Sequence, residues 1–162
     1  MGVEDMSKRQ LDDVDTRILE HLSRDARVSN REIAEDLSLA EGTVRGRIKR
    51  LQADKVIKIM AIADVRVLTQ HEHPMMAYIG VHAELASLHQ TARKIADLDF
   101  VRFAATMLGR YDILAISFVA SAEELIEHVN DEILALPGVK HVDTKLAIKS
   151  LKYDYRWGRI VE

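Results

Sequence analysis

Six cations crowd one short segment of the chain. Residues 42–58 hold Arg45, Arg47, Lys49, Arg50, Lys55 and Lys58 against Asp54 alone, a local charge of +5 in a protein whose formal net charge is −3. A guanidinium donates two parallel hydrogen bonds, the geometry that suits a phosphate or the major-groove edge of guanine. A positive field focused in this way matters more to a polyanionic partner than the total charge does. Gly42 and Gly46 stand among the cations. Each costs about 1 kcal/mol inside a helix, and each would let the backbone approach a groove wall closely. The competing reading of the charge run alone is a surface helix with a solvated basic face.

The elements around this segment decide between the two. Leu11, Val14, Ile18, Leu19 and Leu22 recur at helical spacing over about residues 12–23. Ser29-Asn30-Arg31-Glu32 is a capping box that opens a second, short helix with Ile33, Ala34 and Leu37 on its apolar face. Ser38-Leu39-Ala40 leaves room only for a tight turn. A third helix over residues 41–54 carries Val44, Ile48 and Leu51 on one stripe. Gly42, Gly46, Lys49 and Arg50 then point roughly the other way, with Glu41 at the start and Thr43, Arg45 and Arg47 on the flanks. Residues 56–62 are rich in β-branched side chains and read as a strand. Three helices with a short turn before the last, followed by a strand, make a winged helix-turn-helix plan. In that plan the basic third helix is the one that enters DNA.

The rest of the chain alternates. Residues 75–83 read as strand, 87–98 as helix, and 100–108 and 111–119 as strands joined through Gly109-Arg110. Ser121-Ala122-Glu123-Glu124 is a second capping box, opening a helix through residue 135 that Pro137-Gly138 stops. Residues 139–151 read as the last strand. The order βαββαβ is the ferredoxin-like split motif, so the fold class is α+β. The polar stretch Thr69-Gln70-His71-Glu72-His73 ahead of Pro74 is the candidate linker. The expected organisation is a disordered tail at 1–10, the winged helix-turn-helix at 11–66, a linker at 67–75, the βαββαβ domain at 76–152 and a tail at 153–162.

Composition excludes several classes. Of the 162 residues 48% are apolar and 30% charged, which is the make-up of a folded chain. There is no cysteine, hence no disulfide, thiol nucleophile or Cys-bound zinc. No run of about 18 apolar residues marks a membrane span, and the first ten residues lack the apolar block of a secretory signal. A cytoplasmic protein without membrane contact is expected. No GxSxG, HExxH or P-loop pattern occurs. His71 and His73 could ligate a metal but have no third ligand in view, and His82, His89, His128 and His141 read as packed or surface histidines. No catalytic residue, metal or cofactor is expected.

Three stretches together carry a family resemblance. Leu11-Asp12-Asp13-Val14-Asp15-Thr16-Arg17-Ile18-Leu19, residues 25–34 and Thr43-Val44-Arg45-Gly46-Arg47-Ile48-Lys49-Arg50-Leu51 resemble the amino-terminal half of the Lrp/AsnC regulators. Gly109-Arg110-Tyr111-Asp112-Ile113-Leu114 resembles that family's Gly-x-Tyr-Asp strand entry, and Leu136-Pro137-Gly138-Val139 its helix stop. The resemblance covers about residues 11–150. It implies a transcription regulator that binds duplex DNA and whose βαββαβ domain dimerises and takes a small effector, usually an amino acid. It also implies assembly as dimers, tetramers or octamers. Departures are visible: Ala40 replaces a hydroxyl cap at the turn, and Lys55 stands where glycine is usual before the Val-Ile strand.

From these readings Ser29, Asn30, Arg31, Glu41, Gly42, Thr43, Arg45, Gly46, Arg47, Lys49 and Arg50 are the candidate DNA contacts. A two-fold dimer predicts a pseudo-palindromic operator with half-sites about one helical turn, or a multiple, apart. The effector expectation rests on Met107, Leu108, Gly109, Arg110, Tyr111 and Asp112. A glycine-containing turn leaves amides that can hold a carboxylate, and Asp112 could receive an α-amino group. Thr144 and Leu146 join this set by resemblance alone. The competing reading is an ordinary hairpin in which Asp112 caps amides. An enzyme of tetrapyrrole (sirohaem-type) decarboxylation shares the two-domain architecture and is the alternative function. The aromatic and basic tail Tyr153-Asp154-Tyr155-Arg156-Trp157-Gly158-Arg159 reads as subunit packing or a stacking surface for bases.

Overall fold

The computed structural model of the chain describes residues 11–152 and residue 154. The expected tail at 1–10 and nearly all of the tail at 153–162 lie outside the described residues. The described chain divides into two compact units, one of residues 11–62 together with Asp154 and the other of residues 63–152.

The first unit is built from α1 (Asp13–Arg24), α2 (Asn30–Leu37) and α3 (Glu41–Ala53). The first two starts have a local cause. Asp12 caps α1 by accepting from the Asp15 amide, and Ser29 caps α2 by accepting from the Glu32 amide. Ala40 gives α3 no side-chain cap. Ser38 ends α2 in the left-handed region at φ 54°, and Lys55 sits at φ 55° just past α3, where glycine would be easiest. The apolar stripes meet in a core of Ile18, Ile33, Ala34, Val44, Ile48 and Leu51, with Val14, Leu22, Leu37 and Ile57 packed on it.

The expected strand over residues 56–62 does not form. Residues 57–64 carry no regular secondary structure, and Ile59, Met60 and Ile62 are exposed. A strand needs a neighbouring backbone to complete its hydrogen bonds, and the described sheet contains β1 to β4 alone. This unit is therefore a helix-turn-helix without a wing strand among the described residues. The expected linker also differs. A short helix, α4 (Val65–Thr69), occupies its first part, capped by Asp64 accepting from the Arg66 amide.

The second unit continues with β1 (Met75–Ala83), α5 (Leu88–Ala96), β2 (Val101–Thr106), β3 (Ile113–Val119), α6 (Ala122–His128) and β4 (Val139–Leu146). The strands form one antiparallel sheet in the order β2-β3-β1-β4. Alternation sends Ala77, Ile79, Val81, Ile113, Ala115 and Val119 to the face where Ile95 of α5 and Leu125 of α6 pack. The second expected helix runs only to His128, and Val129–Ile133 then widen into a π turn closed by the Leu134 amide on the Val129 carbonyl. The last strand stops at Leu146 rather than 151. The Ala147 amide donates to the Met76 carbonyl and β1 begins at Met75, so β4 ends where its neighbouring strand begins. No helix among the described residues is long and apolar enough to cross a membrane.

Candidate nucleic-acid interface

Val44, Ile48 and Leu51 are buried and turn the opposite side of α3 to solvent. Glu41, Gly42, Thr43, Arg45, Gly46, Lys49 and Arg50 are exposed there, as the helical wheel predicts. A Cβ built on Gly42 or Gly46 would have nothing within 4 Å. Neither glycine is therefore required by packing among the described residues. Arg45 pairs with Glu41 one turn back. At the start of α2, Ser29 is engaged as the cap, Asn30 is half-buried and Arg31 holds Glu35 at 2.8 Å.

Arg47 faces elsewhere. One of its terminal nitrogens, Nη1, donates to Asp12 at 2.8 and 2.6 Å and to Asp15 at 2.7 Å. Asp15 is 2% exposed, on the same stripe of α1 as Ile18. Arg50 approaches Asp15 only to 3.9 Å. The Arg47 hydrogen bond, with the Asp15 amide second, holds the Asp12 carboxyl below its ordinary 3.8, and Asp12 and Asp15 in turn raise Arg47. Sequence reasoning missed this tie. Its signal was a carboxylate, Asp15, on an apolar stripe, where a buried charge needs a partner.

In the second unit, residues 107–112 join β2 to β3. Gly109 takes φ 147°, and Leu108 is fully exposed. The Tyr111 ring lies on Gly80, where a Cβ would stand 2.6 Å from it. The Arg110 guanidinium sits 5.5 Å from the same ring's centre. Asp112 accepts from the Ala83 amide at 3.0 Å, and its own amide donates to Val81 at 3.1 Å. Asp112 thus caps an amide where the β1–β4 register shifts at His82 and Ala83. β3 begins at Ile113 rather than 111, although the Asp112 carbonyl still accepts from the Met107 amide at 2.8 Å.

Thr144 and Leu146 lie opposite Ile79 and Ala77 on β4, with β1 between them and β3. The structure does not bring them against the turn. It does gather a cluster that sequence reasoning left apart. His82 and His141 are opposite one another on β1 and β4 and stack at 5.9 Å. Asp112 and Asp143 each stand 3.9 Å from the His82 ring nitrogens. Only strand register pairs them. No group of three or more such side chains among the described residues is placed to hold a metal ion.

Comparison with known proteins agrees with both halves. Residues 11–52 match the AsnC-type helix-turn-helix domain and residues 76–157 the Lrp/AsnC ligand binding domain. An HTH-type transcriptional regulator of Pyrococcus horikoshii is 32% identical over 150 residues, covering 91% of this chain and 97% of its own. HTH-type transcriptional regulator Ptr1 of Methanocaldococcus jannaschii is 29% identical over 143 residues, covering 88% and 95%. Among solved structures, E. coli AsnC superimposes with a TM-score of 0.80 at 20% identity over 89% of this chain and 96% of its own. A transcriptional regulator of Neisseria meningitidis in complex with L-Met does so at 0.80 and 21% identity over 92% and 97%. The helix-turn-helix unit followed by the four-stranded α+β unit, matched by both family models, shows that the chain belongs to the Lrp/AsnC family of helix-turn-helix transcriptional regulators.

Proposed function

We propose that the protein regulates transcription by laying α3 in the major groove of an operator as a homodimer, under the control of an amino acid. Gly42, Thr43, Gly46, Lys49 and Arg50 meet the groove and its walls, with Arg45 and Glu41 at the near end of the helix. The first turn of α2, from Ser29 to Arg31, lies along the phosphate backbone, where helix N-terminal amides suit anions. The observation that carries this reading is the outer face of α3, cationic and holding two glycines beside which no described residue packs.

The dimer forms through the uncovered face of the sheet, where Tyr78 and Phe103 flank Ile116 and are 38% and 49% exposed. Two-fold symmetry then gives a pseudo-palindromic operator, and further pairing of dimers gives tetramers or octamers. The effector, an amino acid, meets the second unit at the turn over residues 107–112. Support comes from the ligand-binding domain match and from the Neisseria relative's complex with L-Met. Asp112 is the anchor of that turn. The protein works in the cytoplasm, beside its DNA.

In vitro selection from a random duplex pool tests the DNA reading, and should return a two-fold site. Calorimetry over the twenty amino acids tests the effector. The tetrapyrrole decarboxylase alternative finds no favouring observation, since the curated relatives named above are transcriptional regulators.

A further inference from the structure

We infer that Arg47 is a positioning residue that sets the angle of α3 against α1 and holds no phosphate itself. This rests on the proposal that α3 reads DNA. Arg47 bridges to Asp12 and Asp15 across 35 and 32 residues of sequence, so the tie joins two helices rather than decorating one. Its side chain is 24% exposed, against 47% for Arg50 on the outer face. Asp12 does two tasks with one carboxylate, because the oxygen that caps α1 through the Asp15 amide at 2.8 Å also receives Arg47.

The charges at this corner explain why Arg47 stays. Asp15 is buried, and an ionised carboxylate out of water is tolerated only with a partner. Were Arg47 to swing to a phosphate, Asp15 would keep, among the described residues, only Arg50 at 3.9 Å. The amino end of α1 favours negative charge, and the Asp12 and Asp15 carboxylates hold the guanidinium between them. The α3 residue one step on, Ile48, is in the core. Fixing Arg47 therefore fixes the rotation and tilt with which Lys49, Arg50 and Gly46 are presented.

The test separates positioning from contact. Duplex recovered by selection with the wild-type protein and a random-sequence duplex of equal length are titrated over a range of salt. Arg47→Gln should lower the preference for selected over random duplex by roughly tenfold or more. On random duplex its dependence of log K on log salt should match wild type. Lys49→Gln should flatten that dependence and weaken both duplexes alike. Arg47→Lys should recover part of the preference. A flattened slope with preference retained makes Arg47 a phosphate ligand and overturns the inference, as does no change in either quantity. A DNA-free readout keeps the two proposals apart. The melting temperature lost in Arg47→Gln should be regained in part in Asp15→Asn/Arg47→Gln, because the unpaired buried charge is gone. Additive losses overturn the tie even if wild type ignores every duplex, a result that would instead sink the DNA reading.

Discussion

The Tyr111 ring lies face-down on Gly80, with three of its atoms within 2.7 Å of where an alanine methyl would be. This contact gives the Gly-Arg-Tyr-Asp segment a structural reason. Gly109 lets the chain turn, Tyr111 covers the bare backbone of β1, and Asp112 closes the shifted register at Ala83. Gly80→Ala must displace the ring, and overpacking of this kind costs about 1–3 kcal/mol. Tyr111→Ala should relieve the clash, so the double variant should lose less than the two single losses together. Urea midpoints of the four proteins measure this, and strict additivity would mean that the ring does not rest there.

Gly46→Ala should pull stability and function apart. The site is open and helical, so alanine should raise helix stability by about 0.5–1 kcal/mol. The added methyl should weaken DNA binding by holding α3 off the groove. Melting curves and duplex titrations report the two effects. Tighter or unchanged DNA binding removes Gly46 from the interface.

Asp112→Asn distinguishes an anchor from an amine receptor. Asparagine keeps an oxygen for the Ala83 amide, whereas alanine loses it at a cost of about 1 kcal/mol. The anchor role predicts that Asp112→Asn binds an amino-acid effector as wild type does. Calorimetry showing a folded Asp112→Asn protein that has lost the effector would return its charge to the ligand's amine.

Two arginine-paired carboxylates, Asp12 and Asp64, contribute to how the chain responds to acid. Asp12 is held below 3.8 by Arg47, and Asp64 is held at about 2, first by the Arg66 side chain and then by its amide. A folded-state value below the unfolded one gives a contribution that is complete above about pH 3.8 and lost as pH falls through the lower folded value. Carboxyl carbon shifts in NMR titrations should place both groups below 3.8. Arg47→Gln should move Asp12 upward and leave Asp64 alone, and Arg66→Gln should do the reverse. A common shift in either variant would show that neither pair is the cause.

Local signals were legible in the sequence wherever one element decides its own form. The stripe of Val44, Ile48 and Leu51, the caps Ser29 and Ser121, and the strand over residues 75–83 each appear where expected. Features that need a partner were not. The β-branched run at 56–62 has strand chemistry but no neighbouring strand in the described chain. The helix after Ser121 passes into a π turn at Val129, which its apolar spacing does not announce. The wheel placed Arg47 on a flank of α3, yet only the packing of α1 against α3 reveals its carboxylates. His82 and His141 meet only through register.

The central claim is that the outer face of α3 grips a double helix, and the salt dependence of binding tests it most directly. Fluorescence anisotropy of labelled duplex with the full chain, from about 50 to 200 mM salt, should show affinity falling roughly 10³–10⁵-fold if a dimer neutralises about eight phosphates. Lys49→Gln, lost twice per dimer, should reduce the slope by about two. A folded protein that binds no duplex at the lowest salt, or binds with no salt dependence, contradicts the account.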